Sequence, residues 1–101
     1  MPDLSITIVS NPGGGALFDP GSLAAPQLTG VSWNNTTGIS HQIRLTESAW
    51  ETQEILPGEG SRPLYVVPGD APENSTIPYE CALHPDEVGS IYVSPLVNLN
   101  E

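Results

Sequence analysis

Eleven prolines and ten glycines interrupt this 101-residue chain every few residues, and their spacing constrains the fold more than any other feature. Proline removes a backbone donor and fixes φ, while glycine raises the entropy lost on ordering, so a long helix cannot be sustained here. No window holds a helical period for three turns. Apolar residues instead alternate with a period of two, in short runs between turn residues. Leu4, Ile6 and Ile8 alternate with Ser5 and Thr7; Val31 and Trp33 flank Ser32; Ile43 and Leu45 flank Arg44. Ile77, Tyr79 and Cys81 share one face, opposite Pro78 and Glu80, and Ile91 and Val93 flank Tyr92. Asn11-Pro12-Gly13-Gly14-Gly15, Pro57-Gly58 and Pro68-Gly69 supply the turns. The pattern predicts an all-β antiparallel sandwich or barrel with at most one short helix, a turn or so around Thr46 to Gln53, capped by Thr46, Glu47 or Ser48. The length fits a single domain, 1–101, with no repeat or linker.

Hydrophobic residues make up 38% and charged residues 14%, which is too apolar and too weakly charged for a disordered chain. The apolar runs are far too short for a membrane span. Twelve acidic residues face only Arg44 and Arg62, with no lysine, giving a net charge near −10. That charge repels phosphate backbones and anionic lipid, so neither nucleic acid nor a membrane surface is an expected partner. A basic protein surface would be attracted; acidity that simply keeps a small domain soluble explains the same charge equally well. Met-Pro-Asp-Leu-Ser has neither a positive region nor an apolar core, so no signal peptide is expected in this chain.

The lone cysteine, Cys81, cannot form an internal disulfide. It is either a buried small hydrophobe or a reactive or metal-binding thiol. Around it runs Tyr79-Glu80-Cys81-Ala82-Leu83-His84-Pro85-Asp86-Glu87-Val88-Gly89, read as a strand ending at Cys81, a loop carrying His84 to Gly89, and a returning strand. A cysteine and a histidine three apart on a tight loop can face one ion, and copper favours thiolate with imidazole. The trigonal set of an electron-transfer copper site needs a second histidine, and His41 is the only other one. A core cysteine beside a surface histidine is the bland alternative. A cysteine protease fails, because Cys81 and His84 share one tight loop with no adjoining glycine turn for an oxyanion. Asn35-Thr36-Thr37 and Asn74-Ser75-Thr76 match glycosylation acceptors, but polar turn residues explain them better. Trp33 and Trp50 read as packing residues and not as electron relays.

Along nearly its whole length the chain resembles the small bacterial cupredoxins, the plastocyanin and pseudoazurin family. Phe18-Asp19-Pro20 is similar to the early Phe-x-Pro of that family, and Val31-Ser32-Trp33-Asn34-Asn35 with His41 is similar to the segment before its first histidine ligand. Leu56-Pro57-Gly58-Glu59 resembles its central turn, and Tyr79 to Cys81, His84-Pro85, Gly89 and Ile91-Tyr92-Val93 resemble its closing ligand loop. The resemblance implies an antiparallel Greek-key β-sandwich that binds one copper ion through His41, Cys81 and His84. The family's axial methionine position, three after the histidine and two before the glycine, holds Glu87. An axial glutamate makes a Cys-His-His-Glu set, similar in chemistry to red copper proteins. A hard anionic ligand there favours copper(II) and lowers the reduction potential. The alternatives are a solvent-facing Glu87 with the axial place empty, or filled by water or the Ser40 carbonyl. Gln42 and Ala82 depart from the asparagine and the serine or threonine that the family often carries, so Asn34 or Asn35 is expected to brace the ligand loop instead.

The function implied is outer-sphere electron transfer with a redox protein, docking on apolar residues around His84, namely Leu83, Pro85 and Pro20. The protein is then not an enzyme, and its compartment is periplasmic or extracellular. Two rivals stand beside this reading. One is a red-copper-like protein for storage, sensing or reaction with a small molecule. The other is a metal-free sandwich that serves as an interaction module.

Overall fold

The computed structural model describes residues 3–61 and 64–95. Eight strands follow one another: β1 (Asp3–Ser10), β2 (Ala16–Asp19), β3 (Ser22–Ala25), β4 (Gly30–Asn35), β5 (Ile43–Leu45), β6 (Tyr65–Val66), β7 (Thr76–Cys81) and β8 (His84–Val93). They form two four-stranded sheets, ordered β2-β1-β4-β6 and β3-β8-β7-β5. Every alternating run seen in the sequence falls in a strand. Its apolar face turns inward: Ile6, Ile8, Val31, Trp33, Ile43, Leu45, Tyr79, Cys81, Ile91 and Val93 are all buried between the sheets. Fully burying a side chain of this kind stabilises the fold by roughly 1.5–3 kcal/mol. At the centre Trp33 meets Tyr79 edge-on at 5.1 Å, and Phe18 meets Tyr79 at 4.9 Å. Trp50 sits half-buried at the rim, between Trp33 and Tyr65.

Three features depart from the sequence expectation. Each sheet is mixed, with β1 parallel to β4 and β3 parallel to β8. The chain changes sheet at Pro20-Gly21, between β2 and β3, so β3 joins the second sheet running the same way as β8. Among the described residues there is no helix, including Thr46 to Gln53. There the chain bends back instead: Leu45 N donates to Trp50 O, Thr52 N to Ile43 O, and Ile43 N to Thr52 Oγ1. Docking of Trp50 against the core outweighs the local capping residues.

The segment after Cys81 is also not a long loop. Ala82-Leu83 alone forms the turn, and β8 begins at His84, opposite Cys81, with a register irregularity at Glu80/Cys81. Gly89 therefore lies within the hairpin, paired with Tyr79. The Tyr79 ring covers it so closely that a Cβ at 89 would lie 2.5 Å from Tyr79 Cζ, which only glycine tolerates.

Candidate metal centre

Strand periodicity delivers the donors. His41 has the parity of inward-facing Ile43 and Leu45, Cys81 that of Tyr79, and Glu87 that of Ile91 and Val93. All three side chains enter the sandwich at one end. His41 is 0% exposed, Cys81 0% and Glu87 7%. His84 opens β8 beside them, with its side chain 39% exposed.

The four groups converge. Cys81 Sγ lies 3.6 Å from His41 Nδ1 and 3.5 Å from His84 Nδ1. Glu87 Oε1 lies 3.1 Å from His41 Nδ1 and 3.4 Å from His84 Nδ1. Donor atoms of the four residues all fall within 4.8 Å of one another. A first-row divalent ion bonded to S, N and O at about 2.0–2.3 Å in tetrahedral array places neighbouring donors about 3.3–3.8 Å apart. The separations of 3.4, 3.5 and 3.6 Å match that spacing, and the His41–Glu87 separation of 3.1 Å is slightly shorter. Glu87 Oε1 is buried and forms no hydrogen bond, so its short approach to the imidazoles lacks hydrogen-bond alignment. A buried carboxylate oxygen left unpaired is strongly unfavourable unless a cation completes it. Thiolate with two imidazoles and one carboxylate suits a transition metal and not calcium or magnesium.

Burial pushes the His41 imidazole below the ordinary histidine range; the Glu87 carboxylate pulls against this, and His84 adds to the lowering. The ring is thereby kept neutral, the form that ligates metal.

The framework around the donors is backbone-bonded throughout. His41 N donates to Ile55 O at 3.1 Å, and Ile55 N to His41 O at 2.6 Å. Ala82 N donates to Gln42 O at 2.6 Å, which ties the Cys81 turn to the His41 segment with no side-chain hydroxyl at 82. Asn35 braces the His41 loop and not the Cys81–Glu87 hairpin: its Nδ2 donates to Ile39 O and Ile55 O. Its amide is fully engaged and 1% exposed, which leaves Asn35 no access as a glycan acceptor. Thr37 Oγ1 stands 3.0 Å from His41 Nε2, on the far side of the ring from the donor cluster. On the other flank the Asn11–Gly15 turn brings Ala16 N to donate to Glu87 Oε2 at 3.0 Å. Gly14 and Gly15 adopt φ of 109° and 76°, which a side chain would resist.

All four residues predicted as ligands are thus brought together. Thr37 and Ala16 are contacts that sequence reasoning missed: the first is an ordinary turn threonine to the eye, and the second acts through its backbone from 71 residues away. Leu83, Pro85 and Pro20, expected around His84, are exposed. A depression of about 570 Å³ adjoins the centre, lined by Gly15, Leu17, Leu83, His84, Pro85 and Glu87 among others.

No protein-family model matches the chain, and no curated protein matches it. Solved structures do. A purple cupredoxin from Nitrosopumilus maritimus superimposes with a TM-score of 0.75 at 24% identity, covering 91% of this chain and 100% of that one. An oxidised methionine-to-lysine variant of amicyanin superimposes at 0.71 and 18% identity, covering 91% and 82%. A copper(I) methionine-to-alanine variant of amicyanin gives 0.68 and 16%, with the same coverage. The fold is that of the cupredoxins. The cupredoxin sandwich therefore supplies the two sheets, and this chain's own residues supply a four-donor cluster at one end of it. Among the described residues of this cupredoxin fold, no helix is long and apolar enough to cross a membrane.

Proposed function

We propose that the protein holds one copper ion between His41, Cys81, His84 and Glu87 and passes single electrons to and from a redox partner protein. The observation that carries this reading is the convergence of four donor atoms within 4.8 Å, with Glu87 Oε1 buried and unpaired among them. The cupredoxin fold supports it. Bound there, copper supplies one-electron exchange between its two common oxidation states.

The protein's own part is geometric. Cys81 releases its proton on loading and acts as thiolate. His41 stays neutral, and the two sheets with their backbone clamps hold the donors at nearly fixed separations, so little rearrangement accompanies electron exchange. Glu87 presents an anionic oxygen in a buried place, which favours the more highly charged oxidation state and lowers the potential. The net charge of −10 steers encounter with a basic surface. On this reading residues 1–101 act as one domain, an electron carrier and not an enzyme, working in the periplasm or outside the cell.

A second reading has support in the depression beside His84 and Glu87, which offers room for a small molecule next to the ion. It makes the centre a site of reaction or sensing. Adding copper(II) to wild type and to Cys81→Ser tests the copper reading. An intense thiolate charge-transfer band in wild type alone supports it, and a colourless wild type overturns it. Fast reversible electrochemistry with an unchanged spectrum favours electron carriage; slow redox cycling with spectral shifts on adding small anions favours the second reading.

A further inference from the structure

We infer that Thr37 is a positioning residue that locks His41 in the tautomer whose Nδ1 is free to bind metal; the metal role rests on the function proposed above. The argument is one of hydrogen-bond accounting. Asn35 Nδ2 gives one proton to Ile39 O at 2.7 Å and the other to Ile55 O at 3.0 Å. Both partners are carbonyls, which only accept, so the orientation of the Asn35 amide is determined and its Oδ1 faces Thr37 as an acceptor. Oδ1 takes the Thr37 backbone N–H at 2.9 Å and lies 2.6 Å from Thr37 Oγ1. Thr37 has one hydroxyl proton, and this short contact claims it. Ile39 O, at 3.0 Å from the same hydroxyl, is another pure acceptor.

Toward His41 Nε2, 3.0 Å away, Thr37 Oγ1 is then left with lone pairs. The Thr37 and Asn35 groups are satisfied when His41 carries its proton on Nε2 and donates it to Thr37, while Glu87 Oε1 is left for the cation. Nδ1, on the opposite edge, presents its lone pair to Cys81 Sγ and Glu87 Oε1. The rival tautomer, protonated on Nδ1, would find Cys81 Sγ and Glu87 Oε1 within reach, but it would set the bare Nε2 lone pair against the lone pairs of Thr37 Oγ1 in a closed site. Thr37 is 7% exposed, Asn35 1% and His41 0%, so water does not stand in for a missing partner. Direction therefore runs one way along the chain of bonds, His41 to Thr37 to Asn35 Oδ1, with the Asn35 amide anchored on the Ile39 and Ile55 carbonyls.

The test reads the tautomer without metal. In apo protein labelled with nitrogen-15 in histidine, long-range proton–nitrogen spectra at mildly alkaline pH report which ring nitrogen of His41 is protonated. The inference expects Nε2–H in wild type. Thr37→Val keeps the shape and removes the acceptor, so a substantial Nδ1–H population is expected there; Thr37→Ser should restore the wild-type spectrum. Copper(II) affinity should fall about 10–100-fold in Thr37→Val and recover in Thr37→Ser. Nδ1–H in wild type, or an unchanged tautomer in Thr37→Val, overturns the inference. If Thr37→Val does not fold, the wild-type spectrum and Thr37→Ser still decide it. A wild type that shows Nε2–H but takes up no copper would defeat the proposed function and leave the tautomer assignment standing.

Discussion

The backbone N–H of Ala16 donates to Oε2 of Glu87 at 3.0 Å, joining two residues 71 positions apart. One carboxylate oxygen is thereby anchored, while Oε1 is left facing the imidazoles. A hydrogen bond to a charged, buried acceptor contributes about 1.5–3 kcal/mol. Ala16→Pro deletes the donor, and Glu87→Met deletes the acceptor. Chemical denaturation of the apo protein in a double-mutant cycle should show a coupling of about 1–3 kcal/mol between the two sites. Additive effects would mean that the contact does not hold Glu87.

Glu87→Met exchanges a hard anionic donor for a soft neutral one. The reduction potential of the copper-loaded protein should rise, by about 59 mV for each tenfold change in the relative affinity for the two oxidation states. Protein-film voltammetry of wild type and variant measures this directly. Equal potentials would take Glu87 out of the coordination sphere.

Gly89 lies under the Tyr79 ring with no room for a methyl group. Gly89→Ala should destabilise the apo protein by about 1–3 kcal/mol through overpacking. Tyr79→Leu should recover part of that loss in the Gly89→Ala background, read as a shift in the denaturation midpoint.

Burial raises the Tyr79 hydroxyl from 10.0 to about 12, with the Trp33 indole N–H acting in the opposite direction although it does not reach hydrogen-bond geometry. The folded state thus holds the Tyr79 proton more tightly than the unfolded chain does. Its contribution is complete below pH 10 and declines as the pH climbs toward 12, by roughly 2–3 kcal/mol in total. Tyr65 is also raised by burial and adds to the same trend. Between pH 9 and 11 the wild type should lose stability relative to Tyr79→Phe as alkalinity grows, since the phenylalanine variant lacks the Tyr79 share of the loss, and denaturation curves of the two proteins across that range measure it.

The strands that read clearly in the sequence were those whose period of two runs through Ile6, Trp33, Ile43, Tyr79 or Ile91, because alternation reports directly on which face is buried. Cys81, His84 and His41 were visible because the chain has so few residues of either type, and Glu87 because its offset from His84 and Gly89 follows a known pattern. The inward parity of Glu87 with Ile91 and Val93 offered a further signal, since a charged residue on a core face needs a partner. The parallel pairs, the turn at Ala82-Leu83 and the absence of a helix at Thr46 to Gln53 depend on contacts between distant segments. Local composition carries no trace of such contacts. Thr37 and Ala16 escaped notice for the same reason: neither residue type marks a site until Asn35 and Glu87 are placed beside it.

Among the four donors the imidazole of His84 is the most exposed, with the Glu87 side chain at 8% beside it, while His41 and Cys81 are fully enclosed. Traffic into and out of the cluster is easiest past that ring. The tempo of filling and emptying then leans on a single side chain, and a protein settling over Leu83 and Pro85 would cover that approach while it stayed.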